Sequence, residues 1–422
     1  MAQRGIREYD AKRMLASQLP KYLGKEFRYD GKVALVDPDT DLASLAKEMP
    51  WLSTERLVVK PDQLFGKRGK HGLLLIDADL AAAKKWIGER MGKETTVGKT
   101  NGKLNHFLVE PFTPHDENLE LYVAIRDDRE KDIIYFSMKG GVFVEENWDK
   151  VVQFEVPVGR SADSVDFASK LTDLGDRRDA VIAFMKALHG FYADCGFTYL
   201  EINPFTFAAD GSIVPLDLVA KVDDTAAFDC RKVWGELEFP KAFGTSSTKE
   251  EEYVKYLDEQ SGASLKLTIL NPKGRVWTMV AGGGASVIYA DTVCDLGYAK
   301  ELANYGEYSG DPSTELTYNY AKTVLDMMTR ERDPKGKFLI IGGGIANFTD
   351  VAKTFTGIID ALKEYKQKLI DCGVKIYVRR GGPNYKEGLA RMRNLGETLG
   401  VPIEVYGPET HMTKVVSLAL KQ

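Results

Sequence analysis

The sequence predicts an α/β protein built from two domains, the second of which is a doubly wound parallel sheet. Two observations predict this fold class. The chain has 422 residues, which is more than one ordinary hydrophobic core accommodates. Residues 265–422 repeat a unit in which an apolar strand runs into a glycine-rich loop and then a helix, and such repeats build a parallel sheet with helices on both faces.

Residues 1–242 form the predicted first domain and mix short strands with helices. Four apolar segments are typical of strands, at 56–62, 72–77, 106–112 and 120–128. Helices are predicted at 79–92 and at 177–196, where apolar residues recur at helical spacing, and the start of the chain reads as a short amphipathic helix. The polar stretch 243–264 breaks this pattern, so we interpret it as the connection between the domains.

The second domain, residues 265–422, is the more regular one. Its strands are predicted in the segments 275–281, 337–344, 374–380 and 401–407, most of them followed by glycines and then a helix. This is the arrangement of flavodoxin-like and Rossmann-like sheets, in which ligands bind at the carboxyl ends of the strands.

Composition excludes several classes of function. The net charge is −5 and the pI about 5.8, which favours neither nucleic acid nor an anionic membrane surface as a partner. No run of 18 apolar residues predicts a membrane span, and the start of the chain lacks the apolar core of a signal peptide. The 4 cysteines form no CxxC pair, so we expect a cytoplasmic protein without a disulfide framework or a zinc site.

A hairpin at 199–218 carries the first candidate site. A three-residue loop ending in Gly211 would place Asn203 opposite Asp217, with Glu201 two residues away on the same face. Oxygen ligands from paired strands suit a hard cation such as Mg²⁺, which also takes phosphate oxygens. The alternative is an ordinary polar strand face.

A glycine- and lysine-rich turn at 62–72 carries the second candidate site. Gly66, Gly69 and Gly72 let backbone N–H groups approach an anion, and the neighbouring Lys67 and Arg68 neutralise charge. The alternative is a flexible basic hairpin.

The glycine loops of the second domain carry the third candidate site. They lack the G-x-G-x-x-G nucleotide fingerprint, but they put N–H groups at helix N-termini, which bind anions. Asn347 and Thr349 stand at a helix start, and Arg379 and Arg380 at a strand end, where a guanidinium can hold a carboxylate with two parallel bonds. The alternative is that these residues are caps and solvated arginines.

The segments EINPF (201–205) and PLDL (215–218) resemble the metal-binding hairpin of ATP-grasp enzymes, in particular the succinyl-CoA synthetase β-subunit group. The resemblance implies an N-terminal ATP-grasp domain in which Asn203 and Asp217 hold Mg²⁺. The segments at 57–72 and 109–122 resemble the nucleotide-contacting parts of the same group. They imply ATP contacts in which Lys60, Arg68 and Gly69 meet phosphate, Pro111 and Thr113 flank adenine, and Glu120 binds ribose.

Four segments of the second domain, 271–297, 304–312, 342–355 and 377–389, resemble the citrate-binding domain of ATP-citrate lyases. In that family the matching positions contact citrate, namely Gly310, Asn347, Thr349, Tyr365 and Arg380. The resemblance also implies a cation at Asp258, Ser261 and Ala263.

The resemblance implies an enzyme that uses ATP, Mg²⁺, citrate and CoA to form citryl-CoA and cleave it to acetyl-CoA and oxaloacetate. The chain has 5 histidines but no segment typical of the family's phosphorylated histidine, and no citrate-synthase-like region. We therefore expect a hetero-oligomer whose second subunit carries the phosphohistidine, the citryl-CoA lyase region and most of the CoA site. No catalytic residue is assigned in this chain.

Three alternatives remain open at this point. The chain could be the large subunit of a succinyl- or citryl-CoA synthetase, which lacks the cleavage step. It could be a non-catalytic citrate sensor or scaffold, against which the intact Lys60, Asn203 and Asp217 argue. It could also be a kinase that uses His411 as its own nucleophile, although His411 is better read as a helix-start or interface residue.

Overall fold

A computed structural model of the chain describes residues 3–23, 29–141, 144–245 and 247–421. The chain divides into two compact units, residues 1–246 and 247–422. Both combine helices with sheets, as the sequence predicts.

The first unit contains a seven-stranded sheet in the order β1-β13-β11-β8-β9-β10 with β12 paired to β11, a four-stranded sheet β2-β7-β3-β4, and the ribbon β5-β6. Its strands are β1 Gln3–Ile6, β2 Ala34–Val36, β3 Leu57–Pro61, β4 Leu75–Ala78, β5 Glu94–Val97, β6 Thr100–Lys103, β7 Phe107–Pro111, β8 Leu121–Asp127, β9 Lys131–Ser137, β10 Val152–Pro157, β11 Phe197–Phe207, β12 Ile213–Pro215 and β13 Leu218–Asp223. Its helices are α1 Glu8–Gln18, α2 Pro20–Leu23, α3 Leu42–Glu48, α4 Trp51–Thr54, α5 Leu80–Gly88, α6 Arg178–Asp194 and α7 Ala227–Trp234.

Apolar side chains explain how these layers pack. The α1, α6 and α7 helices bury residues such as Leu15, Phe184 and Trp234 against one face of the seven-stranded sheet. The α5 helix buries Ala83 and Ile87 against the four-stranded sheet. The predicted helix at 177–196 is confirmed as α6. The start of the chain differs from the prediction, because residues 3–6 pair with β13 as a strand before α1 begins.

The second unit contains one six-stranded sheet in the order β14-β16-β15-β17-β18-β19. Its strands are β14 Ser264–Ile269, β15 Val276–Ala281, β16 Asn304–Ser309, β17 Lys337–Gly343, β18 Val374–Arg379 and β19 Ile403–Tyr406. Its helices are α8 Lys249–Glu259, α9 Gly283–Val293, α10 Thr314–Met328, α11 Val351–Glu364, α12 Lys366–Asp371, α13 Tyr385–Leu399 and α14 Lys414–Leu420. All neighbouring pairs are parallel except β14, which runs antiparallel to β16.

Helices cover both faces of this sheet, which confirms the doubly wound prediction. Leu339 and Ile341 of β17 belong to one buried cluster with α10, α11 and α13, while Ile340 belongs to another with α9 and α14. Alternate residues of a strand point to opposite faces, so a strand covered on both sides reads as a continuous apolar run.

The segment 243–264 is not a plain connection. It contains α8, which begins with a capping box between Thr248 and Glu251. Val254 and Leu257 of α8 are buried in the core of the second unit. The helix was missed because, apart from two exposed tyrosines, these are its only uncharged side chains.

Among the residues that the structure describes, no helix is both long enough and apolar enough to cross a membrane.

Candidate functional site

The hairpin between β11 and β13 has the predicted register. Phe205 pairs with Pro215 and Ile202 with Leu218, and the backbone N–H of Asn203 donates to the carbonyl of Asp217 at 2.9 Å. Gly211 adopts the left-handed conformation (φ +83°) that the tight loop needs. Asn203 and Asp217 therefore lie directly opposite each other.

Their side chains offer oxygen atoms of the kind that Mg²⁺ prefers. Oδ1 of Asn203 accepts a hydrogen bond from the N–H of Gly141 at 2.7 Å, and Oδ1 of Asp217 pairs with the guanidinium of Arg68. Among the described residues nothing donates to Oδ2 of Asp217. Glu201 bonds instead to the hydroxyl of Tyr199. The donor set thus fits a cation held by Asn203 and Asp217 together with phosphate and water oxygens.

Lys60 and Arg68 lie beside this hairpin in a buried cluster of charges. Lys60 is 2% exposed and Arg68 6% exposed. The Lys60 ammonium is 2.7 Å from Oε1 of Glu8 and 2.8 Å from Oε1 of Glu110, and Arg68 is 2.6 Å from Oε2 of Glu8. Arg68 also donates to the carbonyl of Pro61 at 2.9 Å. The two cations predicted to meet phosphate are therefore held by carboxylates.

Glu8 is the centre of the cluster, and the sequence analysis missed it. It lies in the first turn of α1, and its side chain is 2% exposed. Burial alone would raise the pKa of the Glu8 carboxyl, but the charges of Lys12, Lys60 and Arg68 outweigh burial and hold that pKa well below its usual range. Glu8 is thus ionised in the interior and ties α1 to β3 and to the glycine-rich turn.

Asp62 fixes α1 from the other side. Its Oδ1 accepts from the N–H of Glu8 at 2.8 Å and its Oδ2 from the N–H of Tyr9 at 3.0 Å, so a carboxylate faces the N-terminus of α1. Asp62 is 2% exposed. Burial, and then the charge of Glu8, raise the pKa of Asp62 to about 6.

The raised pKa of Asp62 predicts a pH-dependent stability. Between the unfolded pKa of about 3.9 and the folded value, the folded state binds the extra proton, so stability falls as pH rises through this range. Relative to Asp62→Asn, we expect the wild-type free energy of unfolding to gain roughly 2–3 kcal/mol from pH 7 to pH 4. Urea unfolding at both pH values measures this difference. Asp179→Asn, at a side chain that is 89% exposed, is the control and should show no such change. A difference that grows as pH rises would contradict the assignment.

Glu120, which is predicted to contact the nucleotide, lies close to Asn203 of the hairpin. The N–H of Gly140 donates to the carbonyl of Glu120 at 2.9 Å, and a side chain at Gly141 would come within 2.6 Å of Oε2 of Glu120. Gly141 also bonds to Asn203, so Glu120 and Asn203 are brought together. The glycines keep this approach free of side chains.

His115 is a further residue that the sequence analysis missed. Its Nε2 lies 3.1 Å from Oε1 of Glu120 and its Nδ1 2.7 Å from the carbonyl of Thr113. Pro111 ends β7 two residues before Thr113. Pro111, Thr113 and Glu120 therefore border one turn, which His115 holds together. Gly69 begins a short 3₁₀ turn directly after Arg68.

In the second unit, two neighbouring arginines at the end of β18 have different environments. Arg379 donates to three backbone carbonyls, those of Gly343 at 2.8 Å, Thr410 at 2.9 Å and Pro408 at 3.3 Å. Arg380 donates to the carbonyl of Gly344 at 3.0 Å, and its buried Nε has no partner. Arg379 is structural, whereas Arg380 retains free donors.

Arg380 is also short of compensating charge. It is 3% exposed, and no carboxylate of the described residues forms an ion pair with it. Burial lowers its pKa, and the hydroxyl of the adjacent buried Tyr308 likewise lacks a partner. A buried guanidinium with unused donors is suited to a carboxylate or phosphate ligand.

Three of the other predicted citrate residues lie near Arg380. The loop that carries Asn347 is joined to the arginine segment by a bridge between Ile345 and Gly381. Thr349 lies just before α11. The N-cap residue of this helix, Asp350, accepts a hydrogen bond from the N–H of Lys353 at 2.9 Å. Asp311 accepts a hydrogen bond from the N–H of Asp350 at 3.3 Å. Gly310, which directly precedes Asp311 and has a left-handed backbone (φ +74°), therefore lies near the start of α11. Gly310, Asn347, Thr349 and Arg380 thus share the carboxyl edge of the sheet.

Tyr365 does not join them. It lies at the C-terminal end of α11, and the 14 residues of that helix separate it from Thr349 by about 21 Å. Its hydroxyl bonds to Asp326 at 3.3 Å in a groove that also contains Lys322 and Arg330. Within this unit, a helix thus separates Tyr365 from the other four residues, and the citrate contact expected at Tyr365 stays a prediction.

The expected cation site at Asp258, Ser261 and Ala263 has a different structure. Oδ1 of Asp258 accepts from the N–H of Leu265 at 2.7 Å, and Oδ2 pairs with Lys266 at 2.7 Å. The hydroxyl of Ser261 donates back to the carbonyl of Asp258 at 3.4 Å. The carboxylate thus caps the start of β14. Over the described residues, no group of three or more His, Cys, Asp or Glu side chains is arranged to hold a metal ion.

His411 is exposed in the turn between β19 and α14. Its Nδ1 lies 2.8 Å from the hydroxyl of Thr413. The turn is at the same sheet edge as Arg379, which bonds to the carbonyl of Thr410.

Comparison with known families divides the chain as the structure does. Residues 2–234 match the ATP-citrate synthase ATP-grasp domain, and residues 245–422 match the citrate-binding domain of ATP citrate lyase. The chain is 50% identical over 422 residues to ATP-citrate synthase alpha chain protein 1 of Arabidopsis thaliana, covering 100% of this chain and 99% of the plant protein. It is 50% identical over 420 residues to the ATP-citrate synthase of Homo sapiens, but it spans only 38% of the length of that relative.

A solved structure has the same fold. The ATP citrate lyase of Methanothrix soehngenii, determined in complex with citrate and coenzyme A, superposes with a TM-score of 0.90 at 60% identity, covering 100% of both chains. The N-terminal domain is accordingly an ATP-grasp domain, and the C-terminal domain is a citrate-binding domain of parallel-sheet architecture.

Proposed function

Because this chain belongs to the ATP-citrate synthase (ATP citrate lyase) family, we propose that it is the subunit that binds MgATP and citrate in such an enzyme. A second subunit supplies the phosphohistidine, most of the CoA site and the citryl-CoA lyase region. Together they convert ATP, citrate and CoA into ADP, phosphate, acetyl-CoA and oxaloacetate. We place this hetero-oligomer in the cytoplasm, where its four free cysteines stay reduced.

The observation that carries the proposal is the environment of Arg380. Its guanidinium is buried without a carboxylate partner among the described residues, and the loops of Gly310, Asn347 and Thr349 meet at the same sheet edge. A bound citrate would supply the missing anion, since one carboxylate can accept two parallel N–H bonds from Arg380. The helix N-terminus at Thr349 favours the second carboxylate.

In the first unit, the proposed role of the protein is to place the nucleotide. Lys60 and Arg68 donate to the phosphates, Gly69 opens the backbone toward them, and Glu120 accepts from the ribose hydroxyls while Pro111 and Thr113 border the base. Asn203 and Asp217 would hold Mg²⁺, which neutralises phosphate charge when bound. Positioning of this kind is most of what a protein contributes to phosphoryl transfer.

In the second unit, the proposed role is to orient citrate. A carboxylate does not react with a thiol, so the phosphoryl group derived from ATP must first activate it. Arg380 and the α11 N-terminus hold the citrate so that another carboxylate faces the phosphohistidine of the partner. This chain then contributes binding and orientation, and the nucleophile comes from the second subunit.

The proposal is tested with labelled ATP, citrate and CoA, using the chain with and without its partner subunit. We expect citrate-dependent acetyl-CoA only when both subunits are present. Faster turnover of succinate than of citrate, or citryl-CoA that accumulates without cleavage, would favour an acyl-CoA synthetase instead. Acid-labile label on His411 of the isolated chain would favour a self-sufficient kinase.

A further inference from the structure

Two lysines share one set of acceptors inside the first unit. The ammonium of Lys60 lies 2.7 Å from Oε1 of Glu8, 2.8 Å from Oε1 of Glu110 and 2.6 Å from the carbonyl of Leu216. The ammonium of Lys12 lies 2.9 Å from Oε1 of Glu8, 2.6 Å from Oε2 of Glu110 and 3.1 Å from the same carbonyl. Lys12 therefore duplicates every contact that Lys60 makes.

Counting donors shows what this duplication means. An ammonium group has three N–H donors, of which Lys60 directs two at Glu8 and the carbonyl of Leu216, while its charge also pairs with Glu110 at 2.8 Å. Turning toward a phosphate oxygen would therefore weaken the contacts of Lys60 with these two buried carboxylates.

Counting charges shows what Lys60 would leave behind. Glu8 and Glu110 are both buried, and a buried carboxylate that loses its partner is strongly unfavourable. Lys12 is 0% exposed and its pKa is raised: burial alone would lower it, but the charges of Glu110 and Glu8 outweigh burial. It is therefore a permanent cation at the point where Lys60 would withdraw its charge.

We propose that Lys12 is a positioning residue, which neutralises Glu8 and Glu110 while Lys60 turns toward the nucleotide phosphate. This inference rests on the proposed binding of MgATP by Lys60. The backbone of Lys12 is fixed in the middle of α1, whose N-terminus is anchored on Asp62. Lys12 cannot follow Lys60, so it stays with the carboxylates. Nucleotide affinity then depends on a residue that does not touch nucleotide.

The test is the affinity of the assembled enzyme for MgATP, measured by calorimetry on Lys12→Met. We expect the Kd and the KM for ATP to rise about 10- to 100-fold, with kcat and the Kd for citrate little changed, because Lys60 becomes the only cation of the described residues that pairs with Glu110 and shares Glu8 with Arg68 alone. Lys12→Arg, which keeps the charge, should recover part of the affinity. Lys21→Met is the matched control, since Lys21 is 64% exposed and pairs only with Asp194 among the described residues.

A double-mutant cycle separates this role from a general loss of structure. If Lys12 acts through Lys60, Lys12→Met should have no further effect on ATP binding in a Lys60→Met background. If Lys12→Met does not fold, Lys12→Met/Glu110→Gln removes one charge of each sign and should bind MgATP within about threefold of wild type. Unchanged ATP affinity in Lys12→Met, additive effects in the cycle, or a double variant more than tenfold weaker would overturn the inference. Failure of the wild type itself to bind MgATP would instead overturn the proposed function.

Discussion

Replacing Arg380 with glutamine is expected to weaken citrate binding at least 100-fold, equivalent to about 3 kcal/mol. Arg380 is the buried guanidinium that has an unpartnered Nε and no carboxylate among the described residues. Glutamine cannot provide the two parallel charged donors that hold a carboxylate. Calorimetric titration with citrate measures the loss, and the Kd for MgATP should not change.

The same substitution should leave the unliganded protein as stable as before, or more stable. Burial lowers the pKa of Arg380, which means that the folded protein holds this charge at a disadvantage. Arg379→Gln is the informative comparison, because Arg379 satisfies the carbonyls of Gly343, Pro408 and Thr410 and its loss should lower the Tm. If Arg380→Gln binds citrate as the wild type does, the citrate site is elsewhere.

Glu8→Gln is expected to lower the free energy of unfolding by about 3–5 kcal/mol at pH 7. The substitution removes the carboxylate shared by Lys12, Lys60 and Arg68 and leaves these buried cations with too few anions. Denaturant unfolding of the whole chain, followed in the first unit, measures the effect.

The pH dependence identifies the cause. Because the pKa of Glu8 is lowered on folding, its contribution is fully present above the unfolded value of about 4.3 and is lost as pH falls through the folded value. The difference between wild type and Glu8→Gln should therefore shrink in acid well below that unfolded value. Between pH 7 and pH 5 it should first grow somewhat, because the charge of Glu8 also raises the pKa of Asp62. Glu89→Gln, at a side chain that is 53% exposed, should be close to neutral. A Glu8→Gln variant as stable as wild type would show that the cluster does not stabilise the fold.

The parts of the fold that follow from a local pattern could be predicted from the sequence. The β15, β17 and β18 strands are largely apolar and each runs into a glycine-containing loop, so their parallel arrangement could be inferred. The hairpin register could be inferred because Gly211 fixes the loop length, and the loop length fixes which residues face each other. The β14 and β16 strands were not recognised, since β14 is half polar at the sheet edge and β16 has no aliphatic side chain.

The candidate site was predicted only in part, because much of it depends on tertiary contacts. Glu8 and Lys12 are four residues apart on an amphipathic helix, a spacing typical of a solvent-exposed ion pair, and only their alignment with Leu15 hinted that they face inward. Lys12 donates to the carbonyl of Leu216, which lies about 200 residues away in the sequence, and no local pattern reveals such a contact. Tyr365 is a different case, since likeness to family members suggested its role but did not show that α11 carries it away from the other four residues.

The pairing of β1 with β13 joins residues 3–6 to a strand more than 200 positions further along the chain. Gln3 lies opposite Asp223, and a few residues further on α1 delivers Glu8 and Lys12 beside Asp217. Removing residues 3–12, or placing a bulky group directly on them, would thus alter the electrostatic balance around Asp217, the proposed metal ligand, more than 200 positions later.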